Sequence, residues 1–422
     1  MTEIIASISK FNFWEGDISE FGIPRTKYLN RISEYLGNQL VKVLVGQRRV
    51  GKSYLLRQII SKLLNSGVNP HNILYINKEF TEFDFLVSYT DLDNLMKEYK
   101  QALKPVGKKY LFIDEIQDIK DWERFVNSFS QNFIEEYEIF ISGSNSELLS
   151  GELATLLSGR YLEFQILPFN YLEYNVAKQL KDSRYSFIEY LQSGGLPELI
   201  HLPNDETKQH YVSAVKDTVL LKDIILRYKI KDAKLLEDLF AFLVNNASNL
   251  ISISNIVKYF ASKNRKTSYE TVSNYIGYME STFLIHKVER YNIKGKEILS
   301  GNCKYYINDL AFKNYLYPGF EYGQGYKLEN AIYLQLLFSG YKVYAGALRN
   351  KEIDFVANKG NRTIYLQVAY QLTEQRTIQR EYSALEAISD NYEKYVVSMD
   401  EIHLESKEGI GHIQAWNLDS IL

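Results

Sequence analysis

The stretch from Leu40 to Leu64 restricts the fold more than any other part of the chain. Leu40-Val41-Lys42-Val43-Leu44-Val45 is apolar and β-branched, the pattern of a buried strand. It runs into Gly46-Gln47-Arg48-Arg49-Val50-Gly51-Lys52-Ser53, which fits G-x-x-x-x-G-K-[ST]. Tyr54-Leu55-Leu56-Arg57-Gln58-Ile59-Ile60 with Leu63-Leu64 then reads as an amphipathic helix, stopped at Asn65-Ser66-Gly67. A strand, a glycine loop and a helix in that order form the setting of a phosphate-binding loop. The glycines let backbone N–H groups converge on phosphate, and the helix N-terminus adds positive potential. The expected ligand is ATP with Mg²⁺, cradled by residues from Gly46 to Tyr54. Lys52 would bridge the β- and γ-phosphates, and Ser53 would hold the metal.

A second apolar strand, Lys109-Tyr110-Leu111-Phe112-Ile113, ends in Asp114 and Glu115. Asp114 suits contact with Mg²⁺, and Glu115 suits a base that orients the attacking water. The same pair could instead cap the helix that follows, although a cap has no need of two acids. A third strand, Tyr137 to Ile141, ends in Ser142-Gly143-Ser144-Asn145. That polar tip either senses the γ-phosphate and positions water, with Asn145 the candidate, or is a plain turn. Strands alternating with helices give an α/β fold whose parallel sheet holds ligand at the carboxyl ends of its strands.

"GQRRVGKS", "LFIDEIQDIKDWE" and "SGSNSELLSGELATLLSGRYLEFQILPFNYLEY" resemble a large prokaryotic family of AAA-type (AAA+/STAND-like) P-loop ATPases. The resemblance extends over nearly the whole chain. It implies that Gly46 through Ser53 is a Walker A loop, Asp114-Glu115 a Walker B pair and Ser142 to Asn145 a sensor segment. It also matches Arg160 to an arginine that acts as a finger or sensor, within the chain or across a subunit boundary; the other reading is an arginine closing a helix. In such a loop, one of Arg48 and Arg49 is expected to touch nucleotide phosphate or a neighbouring subunit.

After about Tyr171 helices replace the alternation. Gly194-Gly195-Leu196-Pro197-Glu198 resembles the linker that follows the ATPase core in that family. LLEDLFAFLVNNA, ISNIVKYFASK and SYETVSNYIGYMESTFLI read as three helices. A hairpin around Lys294-Gly295-Lys296 follows. This is the winged-helix order. Lys263-Asn264-Arg265-Lys266 and the wing lysines Lys294, Lys296 and Lys304 would then face DNA phosphates, or the module serves packing only. The last part resembles a restriction-endonuclease-type nuclease fold, with Glu329 and Asp354 at two of its acid positions. Gln367-Val368-Ala369 departs from Glu-x-Lys at both ends, so metal-dependent cleavage is not expected unless Lys351 or Lys327 replaces the missing lysine. The expected domains are 1–190 (P-loop ATPase), 191–310 (helical linker and winged helix) and 311–422 (degenerate nuclease-like α/β domain).

Composition limits the partners. A chain of 422 residues exceeds one hydrophobic core, so two or three domains are expected. The net charge of −3 means that contact with nucleic acid must come from a local patch. The single cysteine, Cys303, precludes an internal disulfide and fits a reducing cytoplasm. The opening MTEIIASISKFNFWEGD is not a signal peptide, no apolar run approaches membrane-spanning length, and the six histidines form no zinc pattern. Two functions fit: an oligomeric ATPase that binds, remodels or translocates DNA, or an ATP-dependent signalling switch whose later domains dock a protein partner.

Overall fold

The computed structural model describes residues 3–15, 21–149, 157, 159–318 and 323–422; residues 150–156 and 158 of the third family-like segment lie outside these. The chain separates into two compact units, Met1–Ile166 and Leu167–Leu422.

In the first unit, β1 (Val41–Val45), β2 (Ile73–Asn77), β3 (Lys109–Asp114), β4 (Tyr137–Gly143) and β5 (Tyr161–Gln165) form one sheet in the order β2-β3-β4-β1-β5. Every pairing is parallel. All five residues of β1 and all seven of β4 are buried, as expected of a parallel sheet covered on both faces. Two charges at its amino end are buried as a pair: Lys42 Nζ lies 2.7 Å from Glu138 Oε1. Register sets Val45 beside Gly143, and Ile113 beside Ile141, so β1, β3 and β4 finish together at one edge. The helix Lys52–Asn65 starts directly after that edge, its N-cap Gly51 at φ 93°.

The second unit carries a seven-stranded sheet. Its strands are β6 (Ile285–Asn292), β7 (Glu297–Ile307), β8 (Lys342–Leu348), β9 (Lys351–Lys359), β10 (Arg362–Ala369), β11 (Glu393–Ser398) and β12 (Ile410–Gln414), in the order β12-β11-β10-β9-β8-β6-β7. Helices Ala233–Asn245, Ile253–Ser262 and Tyr269–Ser281 precede β6. The three helices and the hairpin thus occur in the expected order, but the hairpin is not a free wing. β6 pairs in parallel with β8 through Arg290–Ala345, Tyr291–Gly346 and Asn292–Ala347. A boundary at residue 310 would cut this sheet. The reason is that backbone N–H and C=O groups along a strand edge need partners, and β8 supplies them to β6. The Gly194-Gly195 turn also lies inside this unit. Gly195 N–H donates to Asp309 Oδ2 (2.8 Å), and a Cβ at Gly194 would fall 2.2 Å from Asp309 Oδ1. Among the described residues, no helix is long and apolar enough to cross a membrane.

Candidate functional site

The carboxyl edge of the first sheet gathers most of the residues singled out from sequence. Glycine at position 46 is required by close approach: a Cβ there would lie 2.2 Å from the carbonyl oxygen of Ile166. Lys52 is buried and folds its ammonium back over the loop, donating to Gly46 O (2.9 Å) and Gln47 O (3.1 Å). Its Nζ is also 3.7 Å from Glu115 Oε1. Arg48 is buried and lies 3.0 Å from Glu79 and 3.7 Å from Glu115 Oε2. Arg49 is exposed at φ 70°. Val50 is buried, and Tyr54 is half exposed, 4.4 Å from the guanidinium of Arg57.

Asp114 is fully buried at the tip of β3. It accepts from Tyr75 OH (3.2 Å), from Asn77 Nδ2 (3.2 Å) and from the Ser142 hydroxyl. Burial raises its pKa, and the Glu115 charge adds to that. Hydrogen bonds from Ser142 and Ser53, and the Lys52 charge, work in the opposite direction. Glu115 follows at φ 53°, an uncommon conformation for a non-glycine residue and one that collects at functional sites. Its backbone N–H donates to Ser142 Oγ (3.2 Å), and its carboxylate accepts from Gln117 Nε2 (2.5 Å). Ser142 therefore couples both acids to the tip of β4. Asn145 is fully buried two residues beyond β4.

Arg160 is not brought to this site by its own chain. It is exposed, and its carbonyl accepts from Val41 N–H (3.0 Å), at the amino end of β1. The length of β1, about 13 Å, separates that point from the glycine loop. Four contributors escaped the sequence reading. Tyr75, Asn77 and Glu79 come from β2 and the turn after it, and Arg25 donates its Nη1 to Val50 O (3.0 Å). The first three carry a detectable signal, a polar tip on a buried strand, as at β3. Arg25 lies outside any motif.

The geometry suits nucleotide with a divalent cation. The cation donors would be the Ser53 hydroxyl and the Asp114 carboxylate, hard oxygen ligands of the kind Mg²⁺ takes. The ammonium of Lys52 and the loop N–H groups suit phosphate.

In the second unit, the expectation for Lys304 is corrected, and one of the two stand-in lysines is engaged elsewhere. Lys304 does not offer charge to a wing surface. It is buried, with its Nζ 2.9 Å from Glu329, 2.7 Å from Glu352 and 3.5 Å from Asp354. Lys351 instead donates to the Ser383 carbonyl (2.6 Å). Arg265 pairs with Asp232 and Asp238 rather than facing outward alone, while Lys263, Lys266, Lys294 and Lys296 are exposed.

Residues 38–175 match a family described as an AAA domain, and residues 184–321 match a domain of unknown function. An uncharacterized protein of Haemophilus influenzae is 36% identical over 387 residues, covering 90% of this chain and 94% of its own. An uncharacterized protein of Methanocaldococcus jannaschii is 33% identical over 383 residues, covering 87% and 83%. Among solved structures, the Walker-type ATPase of Pyrococcus abyssi aligns with a TM-score of 0.43 at 15% identity, over 70% of this chain and 95% of that one. With the phosphate loop, the acid-tipped third strand and these two relatives together, the chain belongs to a family of AAA-type P-loop ATPases that includes the uncharacterized proteins of H. influenzae and M. jannaschii.

Proposed function

We propose that the protein binds Mg-ATP at the carboxyl edge of the first sheet and hydrolyses it. One observation carries this reading: Lys52, Asp114 and Glu115 meet across β1 and β3, with Ser142 of β4 bonded to the Asp114 carboxylate and to the Glu115 backbone N–H. Mg²⁺, when bound by Ser53 and Asp114, would neutralise phosphate charge. Lys52 would exchange its loop carbonyls for phosphate oxygens. Glu115, freed from the cations around it, would take the proton of the attacking water. Asn145 and Arg48 are assigned to the γ-phosphate side of the site, and Gln47, Val50 and Tyr54 to the walls of the cradle.

The test is a pair of variants. Lys52→Ala should lose tight Mg-ATP binding. Glu115→Gln keeps shape but not basicity, so it should retain binding and hydrolyse about a hundredfold more slowly or worse. Unchanged affinity in the first variant, or unchanged turnover in the second, would move the site or the base elsewhere.

The further reading is an oligomer that acts on DNA, supported by the exposed Lys263, Lys266, Lys294 and Lys296. A signalling switch that docks a protein partner is the second reading. It is favoured by the internal neutralisation of Arg265 and Lys304, which removes two of the expected phosphate contacts. DNA-stimulated turnover that weakens steeply with salt supports the first, and DNA-independent turnover the second.

A further inference from the structure

Three elements of the second unit converge on one ammonium. Lys304 on β7 is 2% exposed. Glu329, from the helix Gln324–Phe338, and Glu352 and Asp354, both on β9, all lie within 3.5 Å of its Nζ. Other groups fix the carboxylates around it. Tyr306 OH donates to the same Glu329 oxygen (2.6 Å). The second Asp354 oxygen accepts from Val368 N–H (2.8 Å). Gln367 spends its side-chain oxygen on the Asp354 N–H (3.3 Å), so that oxygen faces backbone rather than the centre of the cluster.

An ammonium and a divalent cation seek the same carboxylate lone pairs, and carboxylates gathered largely out of water are neutralised by a cation or by a proton. Burial by itself would lower the pKa of Lys304, but Glu329, Asp354 and Glu352 outweigh it and the pKa is raised, so the group is a permanent cation. Among the described residues, no group of three or more His, Cys, Asp or Glu is placed to hold a metal ion.

We propose that Lys304 is the resident cation of this centre, standing where a divalent metal would otherwise sit. The second unit then carries a metal-free lock that fastens β7 to the Gln324–Phe338 helix and to β9. Removing the ammonium should convert the lock into a site for a hard divalent cation.

The test is a titration of the nucleotide-free full-length chain with Mn²⁺, with free Mn²⁺ followed by electron paramagnetic resonance. Wild type and Asp354→Asn should bind alike, because Asp354 holds no metal. Lys304→Ala should bind one Mn²⁺ more than wild type, and Lys304→Ala with Asp354→Asn should lose that gain. The idea is overturned if wild type binds one Mn²⁺ more than Asp354→Asn, since metal would then sit beside the lysine. It is also overturned if a folded Lys304→Ala gains nothing. Should Lys304→Ala fail to fold, the comparison of wild type with Asp354→Asn decides alone.

Discussion

Arg48 turns its guanidinium inward to Glu79 and Glu115, while Arg49, at φ 70°, stands exposed. The two guanidiniums therefore sit in different environments, one buried against carboxylates and one in solvent. A second residue-scale case is His286 on β6, whose Nε2 is 2.8 Å from Asn308 Oδ1. Burial depresses its pKa to about 4, against a partial rise from Asn308. A base with a depressed folded-state pKa adds stability above its unfolded value, near 6.5, and loses it as pH falls toward 4. That amounts to roughly 3 kcal/mol across the window. Asp309, which burial pushes up to about 7, works the other way, losing stability as pH rises over the same range. The readout is therefore a difference. Urea midpoints of wild type and His286→Gln should converge or cross as pH drops from 6.5 to 4, and parallel profiles would show that the imidazole is not neutralised by folding.

At the scale of elements, the first sheet divides its work between its two ends. The carboxyl end holds the acids, the lysine and the glycine loop. The amino end is closed by Lys42 and Glu138, both fully buried, with Lys108 adding a second contact to Glu138 (2.9 Å). Removing Lys42 leaves the buried Glu138 with the outer Lys108 as its remaining counter-ion, so Lys42→Met should cost about 3 kcal/mol in chemical denaturation, the low end for a broken buried pair. It should leave nucleotide affinity in the folded fraction unchanged, because β1 separates the pair from the loop; a selective loss of affinity at constant stability would contradict that division. The two ends also differ in how far sequence reveals them. Gly46 to Ser53 and Asp114-Glu115 are local patterns whose chemistry is written in consecutive residues, so both the fold type and the heart of the site could be read directly. Tyr75, Asn77 and Glu79 belong to a polar-tipped strand and its following turn that the sequence displays, but that this strand lies beside β3, and that Arg25 reaches Val50, depends on strand order and tertiary packing, which no local spacing encodes. Lys304 was misplaced for the same reason. Alternation identifies a hairpin, but not that β6 would pair with β8 and set Lys304 of β7 against Glu329 of the Gln324–Phe338 helix.

At the scale of the whole molecule, Arg160 marks the limit of what a single chain can do. It lies at the amino end of β1, away from its own phosphate loop. A role in hydrolysis therefore requires a second copy, and turnover per chain should rise with protein concentration. Mixing Arg160→Ala with Glu115→Gln should restore part of the activity, since a mixed boundary can join an intact arginine to an intact base. Turnover that is independent of concentration, with no rescue on mixing, would remove Arg160 from the chemistry. The seven-stranded sheet has a consequence of a different kind, for the order in which the protein is made. β6 and β7 leave the ribosome well before β8, the strand that β6 pairs with, has been synthesised, and the sheet is complete only once β12 follows. Until then the hairpin presents an unsatisfied edge, the kind of surface that recruits other chains. Translation pauses or premature stops between residues 310 and 400 should thus send this protein to chaperones and proteases far more often than stops just after residue 166, where the first sheet already has all five strands.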